Sequence, residues 1–147
     1  MENLLKLDKQ ICHRLYTASN SINRLYRPLL NNLGITYPQY LVFLALWEND
    51  GISMSQLTER TSLDKGFLTT IIKSIDEKQF ITLESDPNDK RKKIIYLSKK
   101  GKILKDKAKL IPEKLLCQIT ENLSDEVNLN ELKRSLDIII NSLNHKS

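Results

Sequence analysis

The chain has 147 residues, of which 40% are hydrophobic and 28% charged, with four glycines, four prolines and a formal net charge of +5. That length suits one domain with its own core, and the composition excludes disordered and fibrous classes. So few glycines argue against a phosphate-loop enzyme, and no basic-then-apolar leader or run of about 18 apolar residues is present, so a cytoplasmic location away from membranes is expected.

The charge is unevenly placed. Residues 73–109 carry twelve Lys/Arg against six Asp/Glu, which leaves the remainder of the chain at −1. A solvated face is the ordinary explanation of a lysine-rich stretch, yet a surplus beside a recognition element is also the footprint of phosphate binding.

In chain order, Ile11, Leu15, Ala18, Ile22, Leu25 and Leu29 recur at steps of four and three and predict a first helix. Gly34 stops it, and Thr36 is placed to cap a second helix with Pro38 in its first turn. That helix, "QYLVFLALWEND", is apolar almost all round and should form the buried centre. After Gly51, Ile52 begins a short extended piece, Ser53 caps a short helix, and Ser62 or Asp64 caps a longer one. Two short helices joined by a tight turn make a helix-turn-helix. In it Leu57, Leu68, Ile71, Ile72 and Ile75 should point inward, while Lys65, Phe67, Thr69, Thr70 and Lys73 offer an outer face.

Next, "FITLES" and "KKIIYLS" flank the turn-rich "DPNDKR" and predict a β-hairpin wing. The rest is helical: "KKGKILKDKAKLIPEKLLCQIT", which Pro112 should kink or interrupt, and "LNELKRSLDIIINSL". The expected architecture is mainly α with a small β wing, one domain over 1–147, with the winged-helix part at about 36–98. The flanking helices, about 5–33 and 99–145, carry more apolar stripe than a small reader domain can cover, so a homodimer is expected.

Cys12 and Cys117 lie far apart, and a reducing compartment keeps such cysteines as thiols. Taken alone, either is ordinarily a small buried hydrophobe. Zinc is not expected, because Cys12, His13, Cys117 and His145 lack the paired short spacings of structural sites, and no other cofactor is implied.

The order of elements resembles the MarR family of dimeric winged-helix regulators over essentially the whole chain. The wing, "DPNDKRKKIIYLSKKGK", is similar to that family's D-x-R…L-T-x-x-G pattern at Asp89 and Arg91. The resemblance implies a homodimer on a pseudo-palindromic double-stranded DNA operator. The helix from Lys65 to Lys73 would enter the major groove and Arg91 the minor groove, with Lys90, Lys92 and Lys93 attracted to phosphates. The recognition helix reads "DKGFLTTII" where the family commonly has D-S-G-T-L-T-P-L-L, so Lys65, Phe67 and Thr70 are departures, as is Glu84 in the first wing strand.

Within that family, "LYRPLLNNLGITYPQYLVFLALWE" is similar to the organic-hydroperoxide-sensing OhrR repressors, which carry an early cysteine followed by tyrosines 14 and 25 residues later. Cys12, Tyr26 and Tyr37 stand at those separations. The resemblance implies a Cys12 thiolate that accepts hydrogen bonds from Tyr26 and Tyr37 of a partner subunit; by helical spacing Tyr16, one turn from Cys12 on the same face, is placed to contact the site from its own chain. A trans arrangement agrees with helix geometry, since 14 residues rise roughly 21 Å along one axis. "IPEKLLCQIT" also resembles the P-x-x-L-L-C of two-cysteine members. It implies that an organic hydroperoxide oxidises Cys12, that Cys117 resolves the product as a disulfide, and that DNA is released. Two other readings remain: a regulator gated by a non-covalent hydrophobic or phenolic ligand, and a thiol peroxidase. The peroxidase is disfavoured because no separate base or oxyanion motif is evident, so no enzymatic activity is expected.

Overall fold

In the computed structural model residues 2–144 are described, and they fall into two compact units that divide after Ile111. His145, weighed above as a soft ligand and as the end of the last predicted helix, lies outside the described residues.

The first unit begins with two short 3-10 turns, Glu2–Leu5 and Leu7–Lys9, which the periodicity did not announce. Helix α1 follows at Ile11–Asn31, and Gly34, with φ +70°, supplies the left-handed turn beyond it. Helix α2, Tyr37–Glu48, opens with a reciprocal capping box: Thr36 Oγ1 accepts from Gln39 N–H, and Gln39 Oε1 accepts from Thr36 N–H. Ser53 and Gln56 repeat this device at the start of α3, Met54–Thr61, just after strand β1, Ile52–Ser53. Of the two candidate caps for α4, Lys65–Glu77, Asp64 is the one used, its carboxylate accepting from Gly66 N–H. Ser62 instead ends α3 in the left-handed conformation, φ 55°.

The wing pairs β2, Ile81–Ser85, with β3, Lys93–Leu97, antiparallel, and β1 adds to the other edge of β3 to give the order β1-β3-β2. Helix α5, Lys99–Ala108, is capped by Ser98 Oγ.

Helix α2 is the centre, as its apolar sequence requires. Tyr40, Val42, Phe43 and Leu46 are buried with Leu57 of α3, Leu68, Ile71, Ile72 and Ile75 of α4, Ile95 of β3 and Leu104 of α5. Each large side chain contributes about 1.5–3 kcal/mol by leaving water. Every residue expected to face inward from the helix-turn-helix does so. Asp50 locks the sheet to the end of α2: its Oδ1 accepts from Leu97 N–H at 2.8 Å and from Gly51 N–H at 3.0 Å. Gly101 lets α5 approach the carbonyl of Phe80 so closely that a β-carbon would collide with that backbone oxygen. Trp47 Nε1 donates to the Gly101 carbonyl at 3.1 Å.

The second unit holds most of α6, Ile111–Asn122, and all of α7, Leu129–Asn144. The long helix predicted through residue 120 is thus two helices separated at residues 109–110. Pro112 lies in the first turn of α6, where its missing N–H breaks no internal bond. No residue of α7 is buried, and Leu132, Ile138, Ile139, Ile140 and Leu143 are exposed. No described helix is long and apolar enough to cross a membrane.

Candidate functional site

Two sets of side chains stand out: the outer surface of the helix-turn-helix and wing, and the cysteine and tyrosines of α1 and α2. On α4 the spacing of Lys65, Thr69 and Lys73 places them on one stripe, flanked by Phe67 and Thr70, and all five are exposed. Phe67 is 48% exposed, a large apolar ring held in solvent. Thr69 Oγ1 donates to the Lys65 carbonyl at 2.9 Å and Thr70 Oγ1 to that of Gly66 at 3.3 Å. With their protons so used, these hydroxyls present acceptor lone pairs and methyl groups outward.

The wing tip is ordered by its acids. Asp86 Oδ1 accepts from Asn88 N–H at 2.8 Å, and Asp89 Oδ1 accepts from Arg91 N–H at 3.1 Å and from Arg91 Nε at 3.3 Å. The Arg91 side chain is nonetheless 93% exposed. Such an exposed pair adds little stability, so its effect is to aim the guanidinium. Lys90, Lys92 and Lys93 are exposed around it, with Lys93 Nζ donating to Ser85 Oγ at 3.1 Å.

Part of the basic surplus has a structural use that its sequence position did not reveal. Lys78 Nζ donates to the Gly34 carbonyl after α1, Lys100 Nζ to the Lys78 carbonyl at the end of α4, and Lys105 Nζ to the Trp47 carbonyl in the last turn of α2. Lys100 and Lys105 thus meet the negative ends of α4 and α2, where the macrodipole and unpaired carbonyls favour a cation, while Lys78 ties the end of α4 to the turn beyond α1.

Cys12 is exposed in the first turn of α1. Tyr16, one turn further along, is also exposed. Tyr26, near the other end of α1, packs instead on Tyr37, with ring centroids 4.7 Å apart. Helix α1 is continuous between Cys12 and Tyr26, so their roughly 21 Å axial separation stands within one chain. The structure therefore brings Tyr26 and Tyr37 together and leaves Cys12 apart from them. Cys117 lies in α6 of the second unit and is exposed.

Sequence reading passed over Tyr40. Its ring centroid lies 5.8 Å from that of Tyr26 and 6.5 Å from that of Tyr37, and it is buried. The signal was present in "YPQY", whose tyrosines fall three apart on one helical face. Burial pushes all three phenols up. Tyr26 rises to about 12, first through desolvation and then through the charges Tyr37 and Tyr40 would carry. Near neutral pH these groups stay protonated, so each phenol keeps a proton it can donate.

The family described as transcriptional regulator SarA/Rot matches residues 24–108. The organic hydroperoxide resistance transcriptional regulator of Bacillus subtilis (strain 168) is 36% identical over 143 residues, covering 97% of this chain and 95% of that one. SarZ, a helix-turn-helix regulator of Staphylococcus aureus (strain USA300), is 30% identical over 141 residues, covering 96% and 89%. Among solved structures, reduced AbfR bound to DNA aligns with TM-score 0.74 and 27% identity over 99% of this chain and 98% of that one. A MarR mutant from E. coli complexed with operator DNA aligns with TM-score 0.79 and 23% identity over 88% and 92%, a likeness of fold. These proteins are regulators and not enzymes. The chain accordingly belongs to the MarR-type winged-helix regulators: it is a DNA-binding transcriptional regulator related to the organic hydroperoxide resistance regulator.

Proposed function

We propose that the protein is a homodimeric repressor that releases its operator when an organic hydroperoxide oxidises Cys12. The observation that carries this reading is the Tyr26–Tyr37 pair, two protonated phenols packed together at one end of α1 while an exposed thiol occupies the other. In an antiparallel pairing of α1 with its copy, the phenols of one subunit reach the thiol of the other, which neither does within its own chain. Exposed apolar residues support a second copy: Ile11, Leu15 and Ile22 on α1, and separately those of α7. The likeness to the Bacillus subtilis hydroperoxide regulator supports the oxidant class.

In the chemistry proposed, the Cys12 thiolate attacks the terminal peroxide oxygen. The O–O bond breaks, the leaving alkoxide takes a proton to become an alcohol, and Cys12 becomes a sulfenic acid. The Cys117 thiolate then attacks that sulfur and displaces hydroxide, which leaves as water with one proton. A disulfide requires the two Cα atoms within about 4.4–6.8 Å, so its formation constrains α1 against α6 and disturbs the spacing of the recognition helices. A cellular thiol reductant would reset the switch. On DNA, Lys65, Phe67, Thr69, Thr70 and Lys73 read the major groove, Arg91 held by Asp89 enters the minor groove, and Lys90, Lys92 and Lys93 approach phosphates.

The test compares wild type with Cys12→Ser by operator-binding anisotropy before and after one equivalent of cumene hydroperoxide. Wild type should release DNA, and Cys12→Ser should bind and stay bound. Release by Cys12→Ser would favour gating by a non-covalent ligand instead.

A further inference from the structure

Gln39 is the one polar side chain buried outright among the described residues, at 5% exposure. A capping box needs only its bond to Thr36. Its amide does more. Oε1 accepts from Thr36 N–H at 3.0 Å and from the Lys78 ammonium at 3.5 Å, while Nε2 donates to Ser74 Oγ at 3.0 Å. Two donors facing Oε1 set the amide's orientation. Lys78 also donates to the Gly34 carbonyl at 2.8 Å. One polar knot thus joins the turn after α1, the first turn of α2 and the last turn of α4. Tyr37 lies inside that first turn, and Ser74 directly follows Lys73 of the exposed α4 stripe.

We propose that Gln39 is a positioning residue that couples the Tyr37 end of α2 to the recognition helix α4, so that displacement of Tyr37 is passed to the DNA-reading surface. This deepens the hydroperoxide reading and rests on it. Apolar contacts between α2 and α4 tolerate small sliding, because dispersion is non-directional. Hydrogen bonds weaken steeply with distance and angle, and breaking these would leave a buried amide unsatisfied. The two helix ends therefore move as one body.

The coupling is tested first in the reduced protein, without peroxide, by amide hydrogen exchange. Thr36→Ala weakens the α2 cap and should speed exchange at residues 74–78 about fivefold, the factor a lost cap is worth. In Gln39→Met, and in the milder Ser74→Ala, the same Thr36→Ala change should no longer affect α4. Equal acceleration with the link cut, or none with it intact, overturns the proposal. In a second arm, one equivalent of cumene hydroperoxide should oxidise Cys12 to the wild-type extent in Gln39→Met and Ser74→Ala. Their ratio of oxidised to reduced operator Kd should nevertheless fall about tenfold below the wild-type ratio. Release equal to wild type overturns the coupling. A wild-type protein that keeps its operator with Cys12 oxidised refutes the sensing reading instead, and the exchange result then decides the coupling alone.

Discussion

The rings of Tyr26 and Tyr37 pack with centroids 4.7 Å apart and planes inclined at 37°, one from α1 and the other from the first turn of α2. Tyr40 backs both rings. Half-buried phenols held this way keep their protons and lose little rotamer entropy when an acceptor arrives, which suits them to the proposed role of stabilising a thiolate without a cation beside it.

Tyr26→Phe and Tyr37→Phe should each slow oxidation of Cys12 while leaving the reduced protein's operator affinity within about twofold. A hydrogen bond to a charged group is worth about 1.5–3 kcal/mol, so a tenfold or greater loss in rate is expected. Stopped-flow alkylation of residual thiol after peroxide addition measures it. Unchanged rates in both variants would remove these phenols from the site.

The raised phenol values give a sign for alkaline stability. The folded state holds the Tyr26 proton more tightly than the unfolded chain, so its contribution is complete below pH 10.0 and is lost as pH climbs towards about 12. Denaturant midpoints should fall across that window in wild type and fall less steeply in Tyr26→Phe. A parallel decline in the two proteins would contradict the assignment.

Cys117→Ser separates the two stages of the proposed switch. Its Cys12 should still be oxidised, but mass spectrometry should find a sulfenic acid or a mixed disulfide with added thiol in place of a Cys12–Cys117 cross-link. Recovery of the wild-type product would mean that Cys117 is no resolving thiol.

At the wing, Arg91→Ala should weaken operator binding broadly across sequences and lower the slope of log K against log salt by about one. Asp89→Ala should give a smaller loss, since the guanidinium survives but its aim does not. Titrations at several salt concentrations distinguish the two, and an unaltered slope for Arg91→Ala would take the wing off the DNA.

Gly101→Ala places a β-carbon against the Phe80 carbonyl and the Leu97 side chain. Overpacking of this kind costs about 1–3 kcal/mol, and it should appear as a lower Tm even with every DNA-facing residue intact. A Tm equal to wild type would show that α5 can back away from the wing at no cost.

The helices, their caps and the wing could be read directly from the residues. Steps of three and four, a Thr, Ser or Asp before a periodic run, and a turn-rich "DPNDKR" between β-branched strands act over a few residues, so their physics is local. The cysteine and tyrosine spacings pointed to a redox site by resemblance. Local rules could not show Tyr40 against Tyr26 and Tyr37, Gln39 bonded to Ser74 across two helices, or Lys78, Lys100 and Lys105 bonded to backbone carbonyls far along the chain. Those pairings join residues distant in the chain, and only packing of the helices around α2 fixes which buried polar group finds which partner, since each must be satisfied where it lands.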